Sequence, residues 1–127
     1  AQPASRCLVP FTHFAEPPPQ GGKGDDELPR PIWISLPDAP VGMFAGLSYE
    51  GPHGPAFAFL TTAANDQMRP IHEKAMPVIV RREDWSRWLD GDGYEAMALA
   101  RPYDGPLNTQ VETPRLSPPD LERTAEA

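Results

Sequence analysis

The chain has 127 residues, enough for one compact domain and too few for a second core. Its 18 prolines and 10 glycines assign much of it to loops, and a net charge of −7 argues against a protein whose affinity for nucleic acid rests on overall basicity. No run approaches the roughly 18 apolar residues that span a bilayer.

The opening AQPASRCLVP has neither a basic leader nor an apolar stretch, so no secretory signal is read there. The single cysteine, Cys7, cannot form an internal disulfide, and the expected setting is a soluble, cytoplasmic protein. The chain opens on Ala1 rather than methionine, which reads as processing, trimming or a piece of a longer chain.

In chain order, RCLVPF (6–11) reads as a short apolar strand, followed by THFAE. PPPQGGKGDDELPRP (17–31) is rich in proline, glycine and charge and is expected to be a mobile loop. IWISL (32–36), MFAGLSYE (43–50) and AFAFLTT (56–62), separated by PDAPVG and GPHGP, have the spacing of an antiparallel meander. Residues 63–68 suit one helical turn ahead of Pro70. MPVIV (76–80) reads as a strand with Pro77 near its start, where a missing N–H is tolerated. In REDWSRWLDG (82–91), Trp85, Trp88 and Leu89 fall at helical spacing and Gly91 suits the end of the helix. A second helical piece covers 94–100. From Arg101 onward few apolar residues and five prolines predict an extended tail, disordered at its end. The order implies an α+β fold with β dominant, as a domain over 1–103 and a tail over 104–127.

Charge is uneven. Between 69 and 88, Arg69, Lys74, Arg81, Arg82 and Arg87 outnumber Glu73, Glu83 and Asp84. The arginines read as a solvated face or as phosphate contacts. Trp85 and Trp88 read as core anchors, with base stacking the alternative. Cys7 reads as a small buried apolar residue. Cys7, His13, His53 and His72 lack the paired spacing of a zinc site, so no metal or cofactor is expected. Taken alone, His72 is a surface or hydrogen-bonded histidine and Glu16 a solvated loop acid.

Five blocks, RCLVPFTHFAE, MFAGLSYE, FLTTAAND, PIHEKAMPVIV and REDWSRWLDG, stand in the order and spacing typical of the SRAP family of SOS response-associated peptidases, or abasic-site processing proteins. Over residues 6–103 the chain resembles the C-terminal half of that family's domain. The resemblance implies a predominantly antiparallel, barrel-like β-sheet with a few short helices. It also implies a protein of the DNA-damage response that binds single-stranded DNA at an abasic site. There an N-terminal cysteine of the family closes on the sugar aldehyde as a thiazolidine, its amine forming an imine that its thiolate traps.

Carried over residue by residue, the family's glutamate falls on Glu16 and its histidine on His72, a pair suited to sharing the proton transfers. A threonine falls on Thr61, and a basic residue that suits a phosphate on Lys74. The nucleophilic cysteine has no counterpart, Cys7 being internal, and Ala15 and Pro17 replace the aromatics that usually flank the glutamate. The implied partner is abasic single-stranded DNA, with no membrane, nucleoid association when DNA is bound, and a homo-oligomer through exposed strand edges as a further expectation. A noncatalytic β-rich binding module and a peptidase acting on protein substrates are the alternatives.

Overall fold

The structure, a computed structural model, describes residues 4–17 and 30–112. β1 (Ser5–Phe11) pairs antiparallel along its whole length with β4 (Gly42–Gly51), from Ser5 opposite Ser48 to Phe11 opposite Gly42. β4 then turns through Pro52 and His53 into β5 (Gly54–Phe59), giving a sheet in the order β1-β4-β5. Gly54 has φ 116°, a left-handed conformation open to glycine and strained for most other residues. A second sheet has the order β2-β3-β8, from Phe14–Glu16, Ile32–Ser35 and Asn108–Val111. β6 (Thr61–Thr62) and β7 (Met76–Pro77) make a third, two-stranded ladder.

The fold is thus α+β and antiparallel, as expected, but the described strands form three separate sheets and close no barrel. The meander holds only for the β4–β5 hairpin. β3 does not join β4; it lies between β2 and β8, so its hydrogen bonds go to the start and the end of the described chain. The stretch read as an extended tail supplies β8, whereas its residues from 113 onward lie outside the described residues. So do residues 18–29 of the segment read as a mobile loop. Residues 63–68 form no helix; the chain there runs through turns. The strand read over 76–80 is a ladder only at Met76 and Pro77, after which the chain tracks β4 through a bridge between Phe44 and Ile79.

That tracking organises the core. Ala45 N–H donates to the Val78 carbonyl and Val80 N–H to the Met43 carbonyl, each at 2.9 Å. Side chains alternate along an extended chain, so β4 and residues 78–80 act as a wall with one cluster on each side. Phe44 and Ile79 point into the cluster with Phe11, Ile34, Met68 and Met76. Ala45, Val78 and Val80 point into the cluster with Trp88, Ala96 and Leu99.

A 3-10 turn (Arg82–Asp84) leads into α1 (Trp85–Asp90), followed by α2 (Gly93–Met97). Trp88 is buried and its indole N–H donates to the Cys7 carbonyl at 2.7 Å; the Trp85 indole donates to the Val80 carbonyl at 3.0 Å. Trp88 therefore pins the helix to β1, and Trp85 pins it to the segment that tracks β4. Gly91 ends α1 where a Cβ would stand 2.5 Å from the Arg87 carbonyl, and Asp92 caps α2 by accepting from Glu95 N–H at 2.8 Å. Among the described residues no helix is long and apolar enough to cross a membrane.

Candidate functional site

Glu16 is the last residue of β2, opposite Ile32. The strand is fixed from behind by Phe14, whose ring meets Phe11 and Phe44 edge-on at 5.5 and 5.4 Å. That packing draws the Glu16 side chain inward, to 14% exposure. Burial raises its pKa above the ordinary carboxylate value, and the nearby His72 opposes the rise.

His72 arrives from a different element. Its N–H donates to the Met68 carbonyl at 2.7 Å, closing a turn that Asn65 opens by accepting from Met68 N–H at 2.8 Å. Asn65 also donates to the Tyr103 carbonyl at 2.7 Å. Met68 and Met76, both buried, anchor the chain on either side of the histidine. The ring stays 45% exposed, with Nδ1 3.6 Å from Glu16 Oε2, an ion pair when the imidazole is protonated.

Between the two lies a cleft of about 140 Å³ with apolar walls from Phe14, Phe59, Ala75, Met76 and Pro77. Thr61 lines it too, held by the pairing of β6 with Pro77. The structure therefore brings Glu16, Thr61 and His72 together from three segments. Lys74 is exposed and outside that lining. A carboxyl biased toward its protonated form beside a solvent-reached imidazole can give a proton at one atom of a bound substrate and take one at another. Apolar walls favour a small, largely uncharged group in the cleft.

The remaining candidates lie elsewhere. Cys7 sits in the middle of β1 opposite Gly46 and does not line the cleft. Arg81 pairs with Asp104 at 2.6 Å and lies over Tyr103, Arg82 lies over Trp85, and Arg87 pairs with Asp84 at 3.0 Å. Among the described residues no three His, Cys, Asp or Glu come together in a group that could hold a metal. Phe59 and Asn65 are among the residues of the site that the sequence alone does not single out. Phe59 forms part of the cleft wall, and its alternation with Phe57 was the available signal. Asn65 shapes the turn that carries His72, and its place in the TTAAND block was the only hint.

These features define a mixed α+β domain with a carboxylate–imidazole cleft at the meeting of its sheets. The family model for SOS response associated peptidase (SRAP) matches residues 1–116, and the chain belongs to that family. The crystal structure of a protein from Bacteroides thetaiotaomicron is similar, at 25% identity and a TM-score of 0.69, over 84% of this chain and 49% of that one. One from Bordetella bronchiseptica, at 24% identity and a TM-score of 0.70, shares the fold over 86% of this chain and 55% of its own. The chain thus spans about half the length of these solved relatives. Comparison with curated proteins gives no match.

Proposed function

We propose that the cleft is the proton-transfer part of an abasic-site processing centre acting on single-stranded DNA in the DNA-damage response. The observation that carries this reading is the Glu16–His72 pair, 3.6 Å apart at an apolar cleft. In the reaction, an amine adds to the aldehyde of the opened sugar and loses water to give an imine; a thiolate then adds to the imine carbon as the imine nitrogen takes up a proton from solvent, closing a thiazolidine. Glu16 in its protonated form gives a proton to the departing hydroxyl, and His72 accepts the proton that the attacking amine sheds. Thr61 orients the sugar, and Lys74 contacts a phosphate beside the cleft, outside its lining. Bound to DNA, the protein lies on cytoplasmic nucleoid DNA.

A second reading is a noncatalytic β-rich interaction module. It is favoured by one observation: no thiol or amine among the described residues lines the cleft.

The test supplies the nucleophile in trans. Free cysteine, an aminothiol, is mixed with single-stranded DNA carrying one abasic site, and adduct formation is timed with and without the protein. The proposed function expects roughly a tenfold or greater acceleration, lost in Glu16→Gln and in His72→Gln, consistent with general acid–base catalysis. No acceleration, together with equal affinity for abasic and intact strands, gives the interaction module instead.

A further inference from the structure

Glu16 and His72 stand on different elements, so the distance between them is set by whatever joins those elements. Glu16 ends β2 opposite Ile32, and Ile32 on β3 stands opposite Val111 on β8. The carboxyl group is therefore registered to β8 through two rungs of the sheet. His72 belongs to the turn that Asn65 opens, in another part of the chain.

Residues 103–107 join the two, because they run directly into β8 at Asn108 and are fastened to the turn by side-chain hydrogen bonds. Asn65 donates to the Tyr103 carbonyl at 2.7 Å. Gln67 Nε2 donates to the Gly105 carbonyl at 2.7 Å, and Gln67 Oε1 accepts from the Leu107 N–H at 2.8 Å. The Gln67 amide thus lies against this strap as a neighbouring peptide group would, its donor on one carbonyl and its acceptor on the N–H two residues further on. Arg81 also holds the strap, pairing with Asp104 at 2.6 Å and lying over the Tyr103 ring. The bend is close: a Cβ on Gly105 would stand 2.5 Å from the Tyr103 hydroxyl.

Gln67 is exposed and lies outside the cleft lining, so neither apolar burial nor contact with a substrate in the cleft accounts for its two bonds. Tyr103 and Leu107 pack against the core cluster that contains Met68, and such apolar contact is non-directional. Two hydrogen bonds of opposite sense add what packing lacks, a fixed register of the strap along the turn. Functional groups work when held to about 0.5 Å of their productive geometry, which calls for support of this directional kind.

We infer that Gln67 is a positioning residue of the carboxylate–imidazole pair, locking the strap that leads into β8 to the turn that carries His72. One path of strand pairing, hydrogen bonds and chain then runs from Glu16 through β3 and β8 to Leu107, across Gln67 and along the turn to His72, and it sets the 3.6 Å separation. The path rests on geometry alone; its importance for proton transfer rests on the proposed function.

The test uses Gln67→Met, which keeps the reach of the side chain and removes its amide, and Gln67→Ala, which removes both. Glu16 and His72 are the titratable groups lining the cleft, so the His72 ring shifts followed by NMR against pH carry a step from Glu16 ionisation, recognised by its absence in Glu16→Gln. The expected result is a step at least about twofold smaller in both Gln67 variants. With free cysteine and the abasic strand, acceleration should fall about tenfold or more in both, at unchanged affinity for the strand. An unchanged step in Gln67→Met overturns the inference. If the urea midpoint also falls there, Gln67 is structural only; if the step shrinks in Gln67→Ala alone, bulk and not the amide is what matters. A step absent from the wild type overturns it too, since no separation is then held. A wild type that gives no acceleration while the steps shrink as expected refutes the proposed function and leaves the positioning role standing.

Discussion

Phe44 should be the residue on which both the fold and the site depend most. Its ring is 4% exposed, lies flat on Phe11 at 4.1 Å, and supports Phe14 and Phe59 at 5.4 and 4.7 Å. Phe44→Ala removes the shared neighbour of three aromatic rings. Truncating a buried phenylalanine costs about 3–5 kcal/mol through lost transfer energy and the cavity left behind. Ring–ring terms are already inside that figure. Against a domain stability of about 5–15 kcal/mol, the variant keeps only part of its margin. The matched control is Phe57→Ala on the neighbouring strand, 63% exposed, with an expected change within about 0.5 kcal/mol in the isolated chain. Urea denaturation measures both, the midpoint reporting stability if the slope is unchanged. A second consequence separates the site from the scaffold. With Phe14 and Phe59 unsupported, water reaches Glu16 and its pKa falls back toward the ordinary carboxylate value, which NMR of the side-chain carboxyl carbon follows. A cost below about 1 kcal/mol for Phe44→Ala, or equal costs at the two positions, would refute the reasoning.

Glu16 carries a pH signature. Its pKa is raised mainly by burial, so the folded state binds the proton more tightly than the unfolded chain. This contribution is complete below the unfolded-state pKa and is lost as pH rises through the folded-state value. Wild type should therefore lose stability relative to Glu16→Gln as pH climbs out of the ordinary carboxylate range; a wild type that gains on the variant there contradicts the burial argument. At Gly46 an added Cβ would meet Val9 Cγ2 at 2.7 Å and Cys7 Sγ at 2.9 Å, so Gly46→Ala should cost about 1–3 kcal/mol in thermal or urea melts. Adding Cys7→Ala should recover part of that, and strict additivity would show that the two sites do not touch. Asn65→Ala removes the donor to the Tyr103 carbonyl and the side-chain acceptor of the Met68 N–H, which keeps only the Asn65 backbone carbonyl at 3.2 Å, and should cost about 1–3 kcal/mol. It should also speed exchange of the His72 amide, and an unchanged rate would detach that turn from the histidine.

The parts of the fold visible in the sequence are those where local pattern and tertiary role coincide. Trp85, Trp88 and Leu89 sit at helical spacing, and the two indoles are held by the carbonyls of Val80 and Cys7, although Leu89 is exposed. RCLVPF and MFAGLSYE read as strands and pair with one another. The period of apolar residues gives the faces of a strand and says nothing of its neighbours. β3 therefore looked like the first member of a meander, whereas its partners are β2 and β8. NTQV has little apolar character and reads as extended tail; all four of its residues are exposed, so its strand state follows from hydrogen bonds to β3 and not from burial. Glu16 and His72 were legible only through resemblance, because each alone is an ordinary acid or imidazole on a loop-rich chain.

The position of His72 ahead of MPVIV suggests a histidine held by a strand, and the structure locates its support elsewhere. The ladder at Met76 and Pro77 is two residues long, too short to fix a side chain four positions upstream. The turn fixes it: Asn65 is tied to Tyr103, Met68 is buried at the bend, and the His72 amide closes on the Met68 carbonyl. Glu16 depends on the aromatic cluster in the same way. The two groups thus stand on separate supports that meet through the first core cluster, where Met68, Met76 and Phe44 pack together with Phe14 against them. A site so built holds its acid and its imidazole at a set separation while leaving the ring reachable from solvent.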